Sequence, residues 1–171
     1  MKKLHLFSII CALCLPITVR ADFLDFYGGA VVGAGTNFID SRAHGGNSYG
    51  AMFGVDIPLI RAEAEYNYVH GKRNNDTVNL NIGMLNGYLK TPFPIIKPYI
   101  GAGIGRVFGG NSDMVDIHSA TAYQGMVGIQ FDTFFLPLFI DAETRVLLAN
   151  GIAPDVNLTI WDARLKLRYH F

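Results

Sequence analysis

From Trp161 to Phe171 the chain alternates without a break. Trp161, Ala163, Leu165, Leu167, Tyr169 and Phe171 fall on one side, and Asp162, Arg164, Lys166, Arg168 and His170 on the other. A period of two is the side-chain geometry of a β-strand with two unlike faces. Seven earlier segments carry the same period: FYGGAVVGAGTNF, SYGAMFGVDI, IRAEAEYNYV, TVNLNIGMLNGYLK, PYIGAGIGRVF, AYQGMVGIQF and FIDAETRVL. Turn residues punctuate them, among them Pro58 and Leu59, the polar HGKRNND, the three prolines of TPFPIIKP and GGNSDMVDIHS. No apolar stripe of helical period accompanies these segments. The sequence therefore predicts eight strands of about ten residues, the length that crosses a bilayer at a tilt.

The first residues stand apart. Lys2 and Lys3 precede an apolar run from Leu4 to Val19, with a small residue at Ala21. This is the pattern of a secretory signal peptide, and Val19 and Ala21 place its cleavage between Ala21 and Asp22. Residues 1–21 are thus read as the signal and 22–171 as one domain. Lipidation is not expected, because Ile10 and Leu13 stand where a lipoprotein needs a small residue before Cys11 or Cys14. Both cysteines leave with the signal, so no disulfide is expected in the mature chain. Loss of Lys2, Lys3 and Arg20 lowers the 14 basic residues to 11 against 14 acids, a net charge of about −3 that implies no nucleic-acid partner. No later segment approaches the roughly 20 consecutive apolar residues of a membrane helix.

Alternation alone does not say which face meets water, since a lipocalin-like barrel also alternates and turns its apolar face inward. Three features favour polar inside and apolar outside. Five acids and five bases, Arg61, Glu63, Glu65, Asp141, Glu143, Arg145, Asp162, Arg164, Lys166 and Arg168, share one face of three strands. In a closed sheet of eight, those strands face one another closely enough for the charges to pair across a narrow lumen. The other face carries Ala, Val, Ile and Leu, with Phe26, Tyr66, Tyr68, Phe131, Tyr169 and Phe171 towards strand ends, where a membrane interface favours aromatic rings. Glycines on the inner face of the first and fifth segments leave room for long side chains from elsewhere.

FYGGAVVGAG, RAEAEYNY, MLNGYL with KPYIGAGIG, AYQGMVGIQF, FIDAETR and RLKLRYHF, in this order and spacing, resemble the small outer-membrane β-barrels that include the opacity and OmpX-like proteins. The resemblance implies an eight-stranded antiparallel transmembrane barrel in the bacterial outer membrane, surrounded by lipid. It also implies recognition by the outer-membrane assembly machinery through Phe171, with Tyr169, Leu167 and Leu165 behind it, and contact with host-cell surface molecules through external loops. Those loops are placed at Asn37 to Asn47, His70 to Thr77, Phe108 to Ser119 and Leu147 to Val156. The turns TPFPIIKP and DTFFLPL are longer and more apolar than the family's best-known ones, and Phe93, Ile95, Ile96, Phe134 and Phe135 are expected in the inner-leaflet interface, with contact to a partner as the alternative.

No catalytic, cofactor or metal set emerges. GAGIG at Gly101 to Gly105 lacks the helix and the distant acid of a dinucleotide loop, and His44, His70 and His118 have no ligand spacing. Adjacent His118 and Ser119 point oppositely when extended. The leading expectation is a surface scaffold, structural or adhesin-like. A small-conductance porin whose current rises when Glu63 or Arg145 is shortened is the alternative, and a barrel enzyme acting on lipid or peptide comes third.

Overall fold

The computed structural model describes residues 24–39, 42–73, 76–112, 118–133, 136–153 and 156–171. The signal segment, the Ala21 to Asp22 junction, Phe134 and Phe135 lie outside them. Eight strands follow in order: β1 (Asp25–Ile39), β2 (Arg42–Asp56), β3 (Ile60–Arg73), β4 (Asp76–Lys90), β5 (Ile96–Ser112), β6 (Ala120–Asp132), β7 (Leu138–Ala153) and β8 (Val156–His170). Each pairs antiparallel with its neighbour in sequence, and β1 closes on β8. The result is a closed, all-β barrel.

Following paired residues once around the wall gives the stagger. Gly28 leads to Phe53, Ala64, Leu85, Ile104, Tyr123, Leu148 and Thr159, and the path returns to β1 at Phe38, ten residues from its start. For eight strands that stagger corresponds to a tilt of about 40° and a rise of about 2.5 Å per residue along the barrel axis. About ten residues per strand then cross an apolar band of about 25 Å. The strands are 13 to 17 residues long, so the wall is taller than the band.

The outward side chains show where the surplus stands. Tyr123 and Phe131 on β6, like Trp161 and Tyr169 on β8, mark two levels eight residues apart, about 20 Å along the axis. Exposed Val32, Leu85, Ile100, Val127 and Leu165 fill the zone between. At the end that holds Leu24 and Phe171, exposed Leu59, Ile60, Phe93, Ile95, Ile96 and Leu136 continue the apolar surface into the turns. At the opposite end the outward positions become Asn47, His70, Lys72, Asn79, Asn81, Thr121, Asn150, Asn157 and Thr159. The barrel projects from the apolar band on that side.

This corrects the loop boundaries expected from sequence. β1 continues to Ile39 and β2 resumes at Arg42, β3 runs to Arg73 and β4 starts at Asp76, and β7 reaches Ala153 before β8 starts at Val156. In the third connection, β5 extends to Ser112 and β6 starts at Ala120. Gly45, Gly46, Asn47, Gly71, Asn111 and Ser112 therefore sit in paired backbone. A solvated hairpin selects polar outward residues just as a loop does, so composition alone could not separate the two.

Candidate functional site

The lumen is where the charges meet. Arg61, Glu63, Glu65, Asp141, Glu143, Arg145, Asp162, Arg164, Lys166 and Arg168 all point inward and are buried. Nearest the end that holds Leu24 and Phe171, Arg168 grips Asp141 with two parallel bonds, Nε to Oδ2 at 3.1 Å and Nη2 to Oδ1 at 2.9 Å. Arg61 reaches the same carboxylate at 2.7 Å, and its guanidinium lies against the rings of both Tyr88 and Tyr99, 4.0 and 4.7 Å from their centroids. Asp56 joins this layer through Arg168 at 3.2 Å and through Lys90.

One layer higher, Glu63 accepts hydrogen bonds from Tyr27 at 2.8 Å, Tyr88 at 2.9 Å and Lys166 at 2.8 Å. Lys166 also contacts Glu65 at 3.0 Å and Glu143 at 3.4 Å, while Arg164 pairs with both of those acids. Tyr99 donates to Glu143 at 3.0 Å. Above them Arg145 forks onto Asp162, Nε to Oδ1 at 2.9 Å and Nη2 to Oδ2 at 2.5 Å, and Ser48 donates to the same carboxylate at 3.1 Å. Gln124 donates to Asn86 at 2.6 Å. A carboxylate removed from water is costly unless its oxygens are met by cations or donors. Here tyrosines and amides supply donors that the cations do not.

Glycines make the space. A Cβ at Gly33 on β1 would fall 2.5 Å from Ser48 Oγ and 2.9 Å from Arg164 Cγ, and one at Gly103 on β5 would collide with Asn86. The GAGIG stretch is thus an inner wall shaved to admit side chains from β4 and β6.

Above the ionic layers the interior changes character. Val69, Leu80, Ile82, Val107, Ala122, Leu147, Ala149, Leu158 and Ile160 form a buried apolar cluster inside the barrel. On β8 the inner face passes from Leu158 and Ile160 to Asp162 and Arg164, while the outer face passes from Asn157 and Thr159 to Trp161 and Ala163. Both faces reverse at the aromatic level. Within the apolar band the barrel is polar inside and apolar outside, and beyond it β4, β6, β7 and β8 have the sidedness of a water-soluble protein, while β1 and β2 keep Asn37 and Ser48 inside. The expectation that apolar faces look outward throughout is corrected for β4: Val78, Leu80, Ile82 and Met84 point inward, and Asn79 and Asn81 outward.

The remaining sequence-derived residues are placed as follows. Leu165, Leu167, Tyr169 and Phe171 line the outer wall, the Phe171 backbone amide donates to the Phe26 carbonyl at 3.0 Å, and its ring meets Tyr169 edge-on at 5.5 Å. Ser119 Oγ accepts from Arg106 at 3.2 Å, and a ring nitrogen of His70 lies 2.7 Å from Asn79. Among the described residues no group of three or more His, Cys, Asp or Glu could hold a metal ion. Sequence reading missed Asp56 and Lys90, whose strand-end positions beside prolines hide their parity. It also missed Tyr27, Tyr88 and Tyr99 as lumen donors; their spacing from charged residues on the same face was the available signal.

No family model and no curated protein matches the chain. Solved structures do. The Neisserial surface protein A, NspA, superposes with a TM-score of 0.71 at 17% identity, covering 85% of this chain and 97% of that one. The N-terminal β-barrel domain of Pseudomonas aeruginosa OprF gives 0.52 at 14% identity over 84% and 97% of the two chains. Ail, the attachment invasion locus protein of Yersinia pestis in complex with the heparin analogue sucrose octasulfate, gives 0.50 at 14% over 85% and 99%. The fold is that of the small eight-stranded outer-membrane barrels.

Proposed function

We propose that this protein is an integral outer-membrane surface protein: a sealed barrel, lodged in lipid by its outer belt, that carries rigid polar hairpin ends outward as an adhesin-like contact surface. The observation that carries this reading is the reversal of sidedness at the upper aromatic level. A barrel that stayed in water would have no use for an apolar exterior confined to one band, and a barrel wholly within lipid would not turn Asn79, Asn150 and Thr159 outward beyond it.

A filled lumen supports a scaffold over a channel. Arg61, Glu63, Arg145 and Lys166 occupy the interior at membrane depth with side chains that are 0% exposed, and the apolar cluster stops the same passage above them. Residues 1–21 serve in this reading as a signal removed before Asp22, and Phe171 with Tyr169, Leu167 and Leu165 as the strand recognised by the assembly machinery. Contact with host-cell surface molecules is assigned to the projecting hairpins. Ail, of the same fold, has been captured with a heparin analogue, so a barrel of this size can hold a host-type ligand.

The test is labelling on intact cells. Single cysteines at Asn150 and Asn47 should react with a membrane-impermeant maleimide, and one at Leu165 should react only with a lipid-soluble reagent. Exchange of the hairpin ends for those of an unrelated barrel should abolish attachment to host cells while the folded band persists. Processed protein that stays soluble and monomeric without detergent would overturn the reading.

A further inference from the structure

Shallow grooves mark the outer wall, and the two on opposite sides of it differ in one respect. The first, of about 700 Å³, crosses β2 to β5. Register explains its shape. Ala51, Tyr66, Gly83 and Arg106 lie side by side in one row, and Phe53, Ala64, Leu85 and Ile104 in the next. Small residues in alternate strands leave a slot floored by Ala51, Ala64 and Gly83 between larger neighbours.

A β-bulge finishes the slot. Asn81 pairs with Gly109 and Ile82 with Val107, which leaves Phe108 as the extra residue, and Gly109 supports this with φ of 122°. Bulges re-aim side chains. Here the ring of Phe108 is laid over Gly83, so closely that a Cβ there would fall 2.6 Å from it. At the head of the slot stands exposed Arg106, held by Ser119 at 3.2 Å, with Lys72 and His70 outward on β3 above it.

The second groove, of about 570 Å³, is floored by Ala34, Ala142, Thr144 and Ala163 on the opposite wall. The one cation among its described lining residues, Arg164, is 2% exposed and is committed inside to Glu65 and Glu143. The outward residues above it are Thr36, Asn157 and Thr159. Apolar slots thus occur on both sides, and an outward cation caps one of them.

We propose that the β2 to β5 groove is a binding site for a phosphate-bearing lipid of the outer leaflet, with an acyl chain along Ala51 and Ala64 against the ring of Phe108 and the phosphate under Arg106. The proposal rests on the outer-membrane reading above. A guanidinium binds phosphate through paired N–H groups, and at the edge of hydrocarbon it does so against little competition from water. Lys72 adds positive charge on the same sector, where a negative headgroup would sit.

The experiment uses the full mature chain folded into phosphatidylethanolamine vesicles with or without bisphosphorylated lipid A, then extracted in mild detergent for native mass spectrometry. Wild type should retain lipid A in preference to phosphatidylethanolamine and to dephosphorylated lipid A. Arg106→Glu should lower that retention by about tenfold, as should Ala64→Trp, which fills the slot. Thr144→Trp in the second groove should leave it unchanged. If Ala64→Trp does not fold, Arg106→Glu, a surface change, decides. Equal retention of all three lipids, or retention indifferent to Arg106→Glu, overturns the site while the barrel stays folded and inserted. A chain that needs no lipid or detergent instead overturns the outer-membrane reading itself.

Discussion

Lys166 on β8 stands 2.8 Å from Glu63 on β3, although these strands share no backbone hydrogen bond and sit on different sides of the lumen. The ion pair is therefore a brace across the barrel. Lys166→Met strands Glu63 in the interior with only the neutral donors Tyr27, Tyr88 and Asn86, and breaking a buried pair in this way costs about 3–5 kcal/mol. Urea unfolding in detergent, read by the loss of the heat-modifiable band, should show a shift of that size. Glu63→Gln added to Lys166→Met should recover part of it, because the uncompensated charge is then gone. Equal stability of the single and double variants would refute the brace.

The sidedness reversal gives a sharper comparison along one strand. Leu165 faces lipid at mid-depth, and Leu165→Arg should cost about 2–4 kcal/mol in vesicles. Thr159, six residues away on the same outer face, lies beyond the aromatic level, and Thr159→Arg should change stability by less than about 0.5 kcal/mol. Its inner neighbour Ile160 is 1% exposed, and Ile160→Ala should cost about 2–5 kcal/mol. Unfolding of these three variants in one lipid checks all three values, and a cost for Thr159→Arg equal to that for Leu165→Arg would place the membrane boundary elsewhere.

Much of this was legible in the sequence, for reasons that also explain what was not. Asp162, Arg164, Lys166 and Arg168 declare a polar face because four charges in period two have few other uses. The opposing acids Glu63 and Glu65 declare their strand for the same reason. Val78, Leu80, Ile82 and Met84 misled, because period two identifies two faces and not which is inside. The informative residues were their alternates: Asn79 and Asn81 suit water, whereas Gly87 and Leu89 lower on the same strand suit lipid. Tyr27, Tyr88 and Tyr99 were passed over as lumen donors, although Asp25, Lys90 and Lys97 share their faces, because a tyrosine near a strand end reads equally well as part of an interfacial ring. The hairpin ends were hidden by composition, since Gly, Asn and Ser mark turns far more often than paired strand.

Conductance separates a lumen blocked once from a lumen blocked twice. Ionic layers alone would let a shortened side chain open a leak, which is the expectation the sequence supports for Glu63 and Arg145. The apolar cluster above them, with Leu80, Leu147, Leu158 and Ile160 each fully buried or nearly so, adds a second seal that those changes leave intact. In planar bilayers, wild type and Arg145→Ala should both stay silent, and Arg145→Ala combined with Leu80→Gly and Ile160→Gly should show small, steady openings. Openings from Arg145→Ala alone would mean that the apolar cluster does not exclude water.

Phe171 has two separable contributions, and its variants can divide them. The backbone amide closes β8 onto β1 at the Phe26 carbonyl, 3.0 Å away, and any residue can do that. The ring, 58% exposed against lipid and edge-on to Tyr169, contributes little packing that its loss would expose. Phe171→Ala should therefore refold into detergent micelles as completely as wild type, while the folded fraction in outer membranes of growing cells falls several-fold. Phe171→Trp should restore that fraction, because an aromatic ring at the terminus is what the assembly machinery reads in the proposed role. Deletion of Phe171 removes both contributions and should lower the yield in micelles as well. If Phe171→Ala assembles in cells as well as it refolds in micelles, the terminal ring serves the membrane interface alone.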